Sequence, residues 1–263
     1  MSLGDSLVEL QELTRRLRRD CPWDREQTAE TIVPHTVEEA YEVAEAARSG
    51  DGEKLLDELG DLLFQVYFLA LLLEERGEGD LEQVARAVHA KLVRRHPHVF
   101  GEADVRTAER VRRRWEAIKT EQEGRAGIFH DVPEALPGLL LARKVQRRAA
   151  AVDFEYPDVA GALADLEDEL AELKAELEAR PEPAPETPPD ARQAEELGDL
   201  LFAAVNVARR LNVDPELELR AATGRFRARV EEAERRAAAD GKDWVSLPLG
   251  EQDRYFDLAK ETL

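Results

Sequence analysis

The spacing of apolar residues along this chain predicts α-helices almost from end to end. Leu7, Leu10, Leu13 and Leu17 recur every three or four positions, which places them on one face of a helix at residues 3–19. The same spacing predicts further helices at residues 36–48, 54–76, 81–95, 105–123, 139–151, 158–179, 192–211, 215–239 and 249–262. Thr36 is predicted to cap the first of these further helices, with Glu39 completing a capping box.

The seven-residue string Glu-Leu-Gly-Asp-Leu-Leu-Phe occurs twice, at 58–64 and again at 196–202. An identical string in two places indicates an internal duplication. The chain is therefore predicted to contain two tandem helical repeats, which are separated by a segment with glycines and prolines. The predicted division is a first repeat at 1–123, a linker at 124–137 and a second repeat at 138–263.

Each repeat contains a predicted hairpin of two antiparallel helices. Its turn is Gly50-Asp-Gly52 in the first repeat, whereas the second has a proline-rich insertion at 181–189 that cannot be helical. A single hairpin cannot cover its own apolar surface, so we expect four-helix-bundle cores. The helices can pair either within the chain or across a homodimer.

Composition supports an all-α fold and narrows the function. Helix-forming Ala, Leu, Glu and Arg dominate, while aromatic residues make up only 6% of the chain. The formal net charge of −20 disfavours binding to nucleic acids or anionic membranes. The single cysteine, Cys21, fits a reducing compartment, and the N-terminus lacks the features of a secretion signal. We therefore expect a cytoplasmic protein.

Carboxylates spaced three residues apart follow the duplication. The pairs are Glu39/Glu42 and Glu58/Asp61 in the first repeat and Glu169/Glu172 and Glu196/Asp199 in the second, with Glu38 and Asp168 adjacent. This spacing projects both members of a pair from one helix face, and the hairpin turn brings the two helices side by side. Four or five carboxylates can therefore converge in each repeat. For the first helix of the pair, a solvated acidic face explains the glutamates equally well.

The helix that carries the repeated string points more strongly to chemistry. Plotted at 100° per residue, residues 55–73 show apolar side chains all the way round, which predicts a buried helix. Glu58, Asp61 and Gln65 share one sector, and no Lys or Arg lies between Lys54 and Arg76. Buried carboxylates need protons, cationic partners or metal ions. All-oxygen ligation favours Mg²⁺, with Mn²⁺ as a substitute.

A di-iron carboxylate bundle is a competing metal interpretation. Such sites combine glutamates with Glu-x-x-His motifs. No histidine of this chain stands three residues after one of the paired glutamates, which argues against di-iron chemistry.

At these residues the chain resembles the MazG family of all-α nucleoside triphosphate pyrophosphohydrolases, whose pattern is Glu-Glu-x-x-Glu, a spacer and Glu-x-x-Asp. The first repeat matches at 38–42 and 58–61, and the second at 168–172 and 196–199, where Asp168 replaces the first Glu. The flanking strings at 21–28, 94–100, 115–120 and 205–209 are also similar, so the likeness covers nearly the whole chain.

The resemblance implies Mg²⁺-dependent cleavage of NTP or dNTP to a monophosphate and pyrophosphate, with a role in nucleotide-pool housekeeping. It assigns metal ligation to Glu38, Glu39, Glu42, Glu58, Asp61, Asp168, Glu169, Glu172, Glu196 and Asp199, and catalysis to the same set without Glu38 and Asp168. Metal ions would orient the phosphates and acidify a bound water, and a carboxylate could accept its proton.

Cationic side chains are expected to stabilise the leaving pyrophosphate. The candidates for substrate binding are Lys91, Arg94 and Arg95 in the first repeat and Asn206, Arg225, Arg229 and Lys260 in the second, with Trp23 as a base-stacking residue. Ordinary surface arginines and a packed tryptophan are the competing interpretations. The fuller set in the second repeat favours that repeat as the active one.

Two alternatives remain open from the sequence. One is a non-catalytic helical scaffold or regulator that retains a metal site. The other is an enzyme with narrow specificity for dUTP or phosphoribosyl-ATP. Pyrophosphate release from a panel of nucleotides separates all of these.

Overall fold

The computed structural model of the chain describes residues 2–100, 127–130, 132–179, 188 and 190–262. The chain divides into two compact units, Met1–Ile118 and Lys119–Leu263. The helix predicted at 105–123 lies outside the described residues, as do the motif with Trp115 and most of the proline-rich insertion. The proposed repeat and linker boundaries stay predictions.

The first unit is a series of helices in its described part, as the apolar spacing predicts. They are α1 (Leu3–Asp20), α2 (Pro22–Glu26), α3 (Ala29–Ser49), α4 (Gly52–Glu75), α5 (Leu81–Arg95) and α6 (Pro97–Phe100). The predicted turn forms at Gly50-Asp-Gly52. Gly50 ends α3 in a left-handed conformation (φ 74°), and the Asp51 side chain caps α4. Helices α3 and α4 therefore form a tight antiparallel hairpin.

The predicted cap at Thr36 is wrong. Helix α3 begins seven residues earlier, and Thr28 and Thr31 form its capping box. The Thr28 amide donates to the Thr31 hydroxyl at 2.8 Å, and the Thr31 amide donates to the Thr28 hydroxyl at 3.4 Å. Pro34 is the sixth residue of α3, so the helix lacks the amide donor that would otherwise bond to the Glu30 carbonyl. The early start lengthens the helix that presents the first glutamates.

The core of the first unit lies at the open end of the hairpin. Ile32 of α3 packs against Phe68 and Leu72 of α4, and all three side chains are buried. Two ion pairs tie α1 to the end of α4: Arg15 to Glu74 at 2.9 Å and Arg18 to Glu75 at 2.8 Å. The string at 58–64 lies nearer the turn, away from this core.

The second unit repeats the order of long helices. It contains α7 (Gly138–Ala150), α8 (Val159–Ala179), α9 (Ala191–Arg210), α10 (Pro215–Ala239), a short 3₁₀ helix (Trp244–Ser246) and α11 (Leu249–Lys260). Helices α8 and α9 are the counterparts of α3 and α4. Helices α10 and α11 pack on each other through Ala233, Ala237, Tyr255 and Ala259. The Tyr255 hydroxyl donates to Asp240 at 2.7 Å and closes this second hairpin.

The all-α prediction is confirmed, since the described ranges contain helices and no strand. A search of the described helices finds none that is both long enough and apolar enough to span a bilayer.

The prediction that the string-bearing helix is buried all round is wrong for the single chain. Helix α4 packs on α3 with one side only, so an apolar stripe stays exposed on another side. The stripe consists of Leu56, Leu59, Leu63 and Val66, and Leu56 is 74% exposed. Helix α9 shows the same feature at Leu197 and Leu201.

Candidate metal centre

In the first unit, the hairpin brings three predicted ligands together. Glu39 comes from α3, and Glu58 and Asp61 come from α4, one turn apart. Each offers a carboxylate oxygen, and these oxygens all lie within 4.8 Å of one another. Glu39 and Glu58 are half-buried, and Asp61 is exposed. Carboxylates from two helices therefore face one small volume.

The acids of this first site repel one another. Burial raises the pKa of Glu39 above its usual range, and the charges of Asp61 and Glu42 raise it further. Burial and the Glu42 charge also raise the pKa of Glu58, while Lys54 opposes this effect. Both pKa values are thus raised first by burial and then by the repulsion between neighbouring carboxylates, which a bound cation would relieve.

The second unit builds the same arrangement from α8 and α9. Glu169, Glu196 and Asp199 each place a carboxylate oxygen within 4.8 Å of the other two. Glu196 is only 4% exposed and is thus far more buried than its counterpart Glu58. Burial raises the pKa of Glu169, with further contributions from Asp199 and Glu172.

The two sites differ in their nearest cation. Arg192, one turn before Glu196, places a guanidinium nitrogen 2.9 Å from the Glu196 carboxylate. Lys54 occupies the same position relative to Glu58, but its ammonium group pairs with Glu45 at 3.1 Å. The stretch of α4 without Lys or Arg therefore follows a lysine that pairs outside the triad, whereas Arg192, near the start of α9, pairs with Glu196.

The remaining acidic candidates lie around these triads. Glu42 and Glu172 stand near enough to raise the pKa values of Glu39 and Glu169, respectively. Glu38 approaches His35 instead, at 3.7 Å, and its side chain is 67% exposed. Asp168 is exposed as well. Glu38 and Asp168 are not among the groups that converge within 4.8 Å.

The contacts described for the cationic candidates of the second unit are with residues other than the triad. Lys260 pairs with Asp257 at 2.9 Å and lies over the ring of Phe256. Arg225 is exposed on α10, and the Arg229 Nε atom is buried without a hydrogen-bond partner. Across the described residues, no hydrogen bond or ion pair joins Arg225, Arg229 or Lys260 to the second triad. In the first unit, Lys91, Arg94 and Arg95 follow one another along α5, with Lys91 and Arg94 exposed.

Asn206 is held in a polar network on the inner side of α9. Its side-chain oxygen accepts hydrogen bonds from Arg209 Nε at 3.2 Å and Nη2 at 2.6 Å. Arg209 also pairs with Glu155 at 2.6 Å. Asn206 is thus fixed by structure, which limits its freedom to turn toward a substrate.

Trp23 is available for contact with a ligand. It is 52% exposed on the short helix α2, and its ring meets His35 edge-on at 5.9 Å between centroids. In the second unit, the hydroxyl of Tyr156 donates to Asp165 at 2.7 Å. In both units an aromatic side chain contacts the residue four positions before the first ligand of the triad. This residue is His35 in the first unit and Asp165 in the second.

Two contacts were not predicted from the sequence. The Tyr156–Asp165 contact joins residues nine positions apart, a separation that no helical spacing marks in the sequence. Arg192 could have been found from its i,i+4 spacing to Glu196, a spacing at which side chains of opposite charge meet on a helix.

The donor chemistry of each triad fits a hard divalent cation. Mg²⁺ and Mn²⁺ prefer carboxylate oxygens, and Mg²⁺ is commonly held by one or two carboxylates together with water and phosphate. The raised pKa values of Glu39 and Glu169 indicate unbalanced negative charge where such an ion would lie. No cysteine or histidine joins either triad in the described part of the chain, which disfavours zinc.

These features define a class: an all-α protein with a duplicated helical hairpin that presents converging carboxylates. The model of the MazG nucleotide pyrophosphohydrolase domain matches residues 27–100. The chain is 38% identical over 263 residues to the nucleoside triphosphate pyrophosphohydrolase of Escherichia coli K12, covering 99% of this chain and 98% of that protein. It is 38% identical over 262 residues to the Thermotoga maritima nucleoside triphosphate pyrophosphohydrolase/pyrophosphatase MazG, covering 98% and 96%.

The chain belongs to the MazG nucleotide pyrophosphohydrolase family. The resemblance noted from the acidic motifs is confirmed, as is the prediction of a hydrolase that acts on acid anhydrides.

Proposed function

We propose that this protein is a Mg²⁺-dependent nucleoside triphosphate pyrophosphohydrolase, which converts NTP or dNTP to the monophosphate and pyrophosphate. The observation that carries the proposal is the duplicated triad, Glu39/Glu58/Asp61 and Glu169/Glu196/Asp199, in a chain of this family. A triphosphate is an anion, and a site made of carboxylates repels it. Bound cations resolve the conflict because they are attracted to both sides.

The roles of the side chains follow from their positions. The triad residues would hold the metal, which supplies charge neutralisation and acidification of a bound water. Glu42 or Glu172, which lie beside the triads, would accept the proton of the attacking water. Trp23 offers an exposed ring for a nucleobase at the first site.

We place turnover in the second repeat. Glu196 is 4% exposed, so solvent screens the charges around it less than it screens those around half-buried Glu58. The basic residues Arg225 and Arg229 lie on α10, the helix that follows the hairpin, and would need to approach the bound triphosphate. The first repeat retains its own metal site in this proposal.

The test is pyrophosphate release from NTPs and dNTPs, including dUTP and phosphoribosyl-ATP, with Mg²⁺. We expect release that is lost in the Glu58→Gln/Glu196→Gln double variant. Glu53→Gln/Glu167→Gln is the matched control, because both residues are exposed neighbours on the same helices as triad members. Release by wild type that equals release by the folded double variant contradicts the proposal. Release from one nucleotide alone identifies a narrow-specificity enzyme.

We also propose that the chain forms a homodimer through the exposed stripe of α4. The side chains of Leu56, Leu59, Leu63 and Val66 are too apolar to favour water, and Gly60 beside them leaves open space where a second helix can approach. Sedimentation equilibrium should give twice the chain mass of 29.6 kDa. Leu59→Glu/Leu63→Glu should give the monomer, and a monomeric wild type would contradict the assembly.

A further inference from the structure

We propose that Arg192 is a built-in counter-cation of the second site, which must leave Glu196 before that carboxylate can bind a metal ion. The inference rests on the proposed metal binding and deepens it. The two triads therefore differ in how they bind a divalent cation. The first binds the ion directly, whereas the second binds it only after the ion displaces Arg192.

The contacts of Arg192 support this role. One guanidinium nitrogen lies 2.9 Å from Glu196, another lies 2.8 Å from Glu195, and Nε is 3.9 Å from Glu176. Glu196 is a member of the triad, so the guanidinium contacts a carboxylate that the metal would need. The arginine and the ion compete for the negative charge of that carboxylate, because both are cations.

The burial of the partners shows which one can move. The Arg192 side chain is 54% exposed, whereas the Glu196 side chain is 5% exposed. The arginine can turn into water at little cost, since half of it is already hydrated. Glu196 cannot follow, because a buried carboxylate without a cation is costly. Metal binding therefore replaces the Arg192 guanidinium with the metal ion, while the Glu196 carboxylate stays in place.

In its described residues, the first unit has no equivalent of the contacts that Arg192 makes in the second. Lys54 pairs with Glu45, an exposed residue outside the triad. Glu176 stands four residues after Glu172, and the corresponding position in α3, four residues after Glu42, is the fully buried Ala46. Glu58, in turn, is only half-buried. Without a deeply buried carboxylate, the first site has less need of a resident cation.

Direct Mn²⁺ titration, followed by calorimetry and by electron paramagnetic resonance of free Mn²⁺, tests the exchange. The full chain is used, with the first site removed by Glu58→Gln so that the second site is observed. Arg192→Met in this background should raise Mn²⁺ affinity about fivefold, because a half-exposed ion pair contributes up to about that factor. Lys54→Met in an Glu196→Gln background is the matched control and should change affinity less than about twofold.

A metal-free measurement tests the contact independently. In EDTA, Arg192→Met should lower the thermal midpoint by about 2 °C, and saturating Mg²⁺ should abolish the difference. Adding Glu196→Gln should remove the effect of Arg192→Met, because no buried charge is then left unpaired.

The outcomes separate the two proposals. Unchanged or weaker Mn²⁺ binding in the Arg192→Met background overturns the exchange while the pyrophosphohydrolase remains intact. Additive effects of Arg192→Met and Glu196→Gln in EDTA overturn the resident ion pair. Absence of Mn²⁺ binding at both sites, together with absence of pyrophosphate release, overturns the proposed function and the exchange with it.

Discussion

The two repeats carry the same seven residues in two different settings. In the first, Glu58 is half-buried, and the nearest basic residue on its helix, Lys54, pairs with Glu45. In the second, Glu196 is buried and Arg192 pairs with it at 2.9 Å. Among the described residues, the same glutamate of the string therefore has a direct cationic partner in the second repeat and none in the first. The comparison shows that an identical local sequence does not fix the electrostatic state of a site, because that state depends on residues one turn away.

The difference extends along the same helices. The position ten residues after the glutamate of the string is Phe68 in α4 and Asn206 in α9. Phe68 is 1% exposed and lies in the apolar core with Ile32. Asn206 instead bonds to Arg209, which pairs with Glu155. The second hairpin is held by a polar network at the level where the first is held by apolar packing.

The largest expected effect concerns catalysis. Glu196→Gln should lower kcat/KM for NTP hydrolysis about a thousandfold, roughly 4 kcal/mol, because it removes a buried negative ligand. Glu58→Gln should lower it less than about tenfold if the second repeat carries turnover. Steady-state pyrophosphate release at saturating Mg²⁺ measures both. A larger loss in Glu58→Gln would move turnover to the first repeat.

A stability test addresses the two hairpins. Phe68→Ala should lower the free energy of unfolding of the first unit by about 3 kcal/mol, because it empties a buried aromatic site. Urea titration followed by circular dichroism measures this change. Leu92→Ala is the control in the same unit, since Leu92 of α5 is 44% exposed and lies outside the apolar stripe of α4. An equal loss in both variants would show that Phe68 contributes no more to stability than an exposed leucine.

The matching change in the second unit should be smaller. Asn206→Ala removes the acceptor for two hydrogen bonds from Arg209 but leaves the Arg209–Glu155 pair in place. The expected loss is about 1 kcal/mol by the same urea titration. Arg209→Ala serves as the comparison and should cost more, because it leaves Glu155 without its closest cation. If Asn206→Ala lowers hydrolysis without lowering stability, Asn206 acts on the substrate as the sequence predicted.

The helices and the acids of the repeated string could be predicted from sequence because both depend on local spacing. The string-bearing helices, the Gly50 turn and the pairs Glu58/Asp61 and Glu196/Asp199 follow from that spacing, whereas Glu39 and Glu169 are assigned through the family resemblance. The capping of α3 by Thr28 was not predicted, because Pro34 interrupts the pattern that normally marks a helix start. The exposure of Leu59 and Leu63 also depends on which helices pack around α4, and periodicity does not encode that choice.

The smallest expected effect is the pH dependence of the metal-free first site. Glu39 and Glu58 have raised pKa values, so the folded chain holds their protons to higher pH than the unfolded chain does. Their contribution to stability is therefore fully present at low pH and is lost as pH rises through the raised pKa values.

In EDTA, Glu39→Gln should make the urea midpoint fall less steeply between about pH 4.5 and pH 7 than in wild type. Saturating Mg²⁺ should flatten the wild-type profile in the same way, because the ion compensates the same charges. Glu53→Gln, an exposed neighbour on α4, should leave the slope unchanged. A steeper fall in Glu39→Gln would mean that Glu39 is stabilised as a carboxylate in the folded chain, and the first triad would then need no cation.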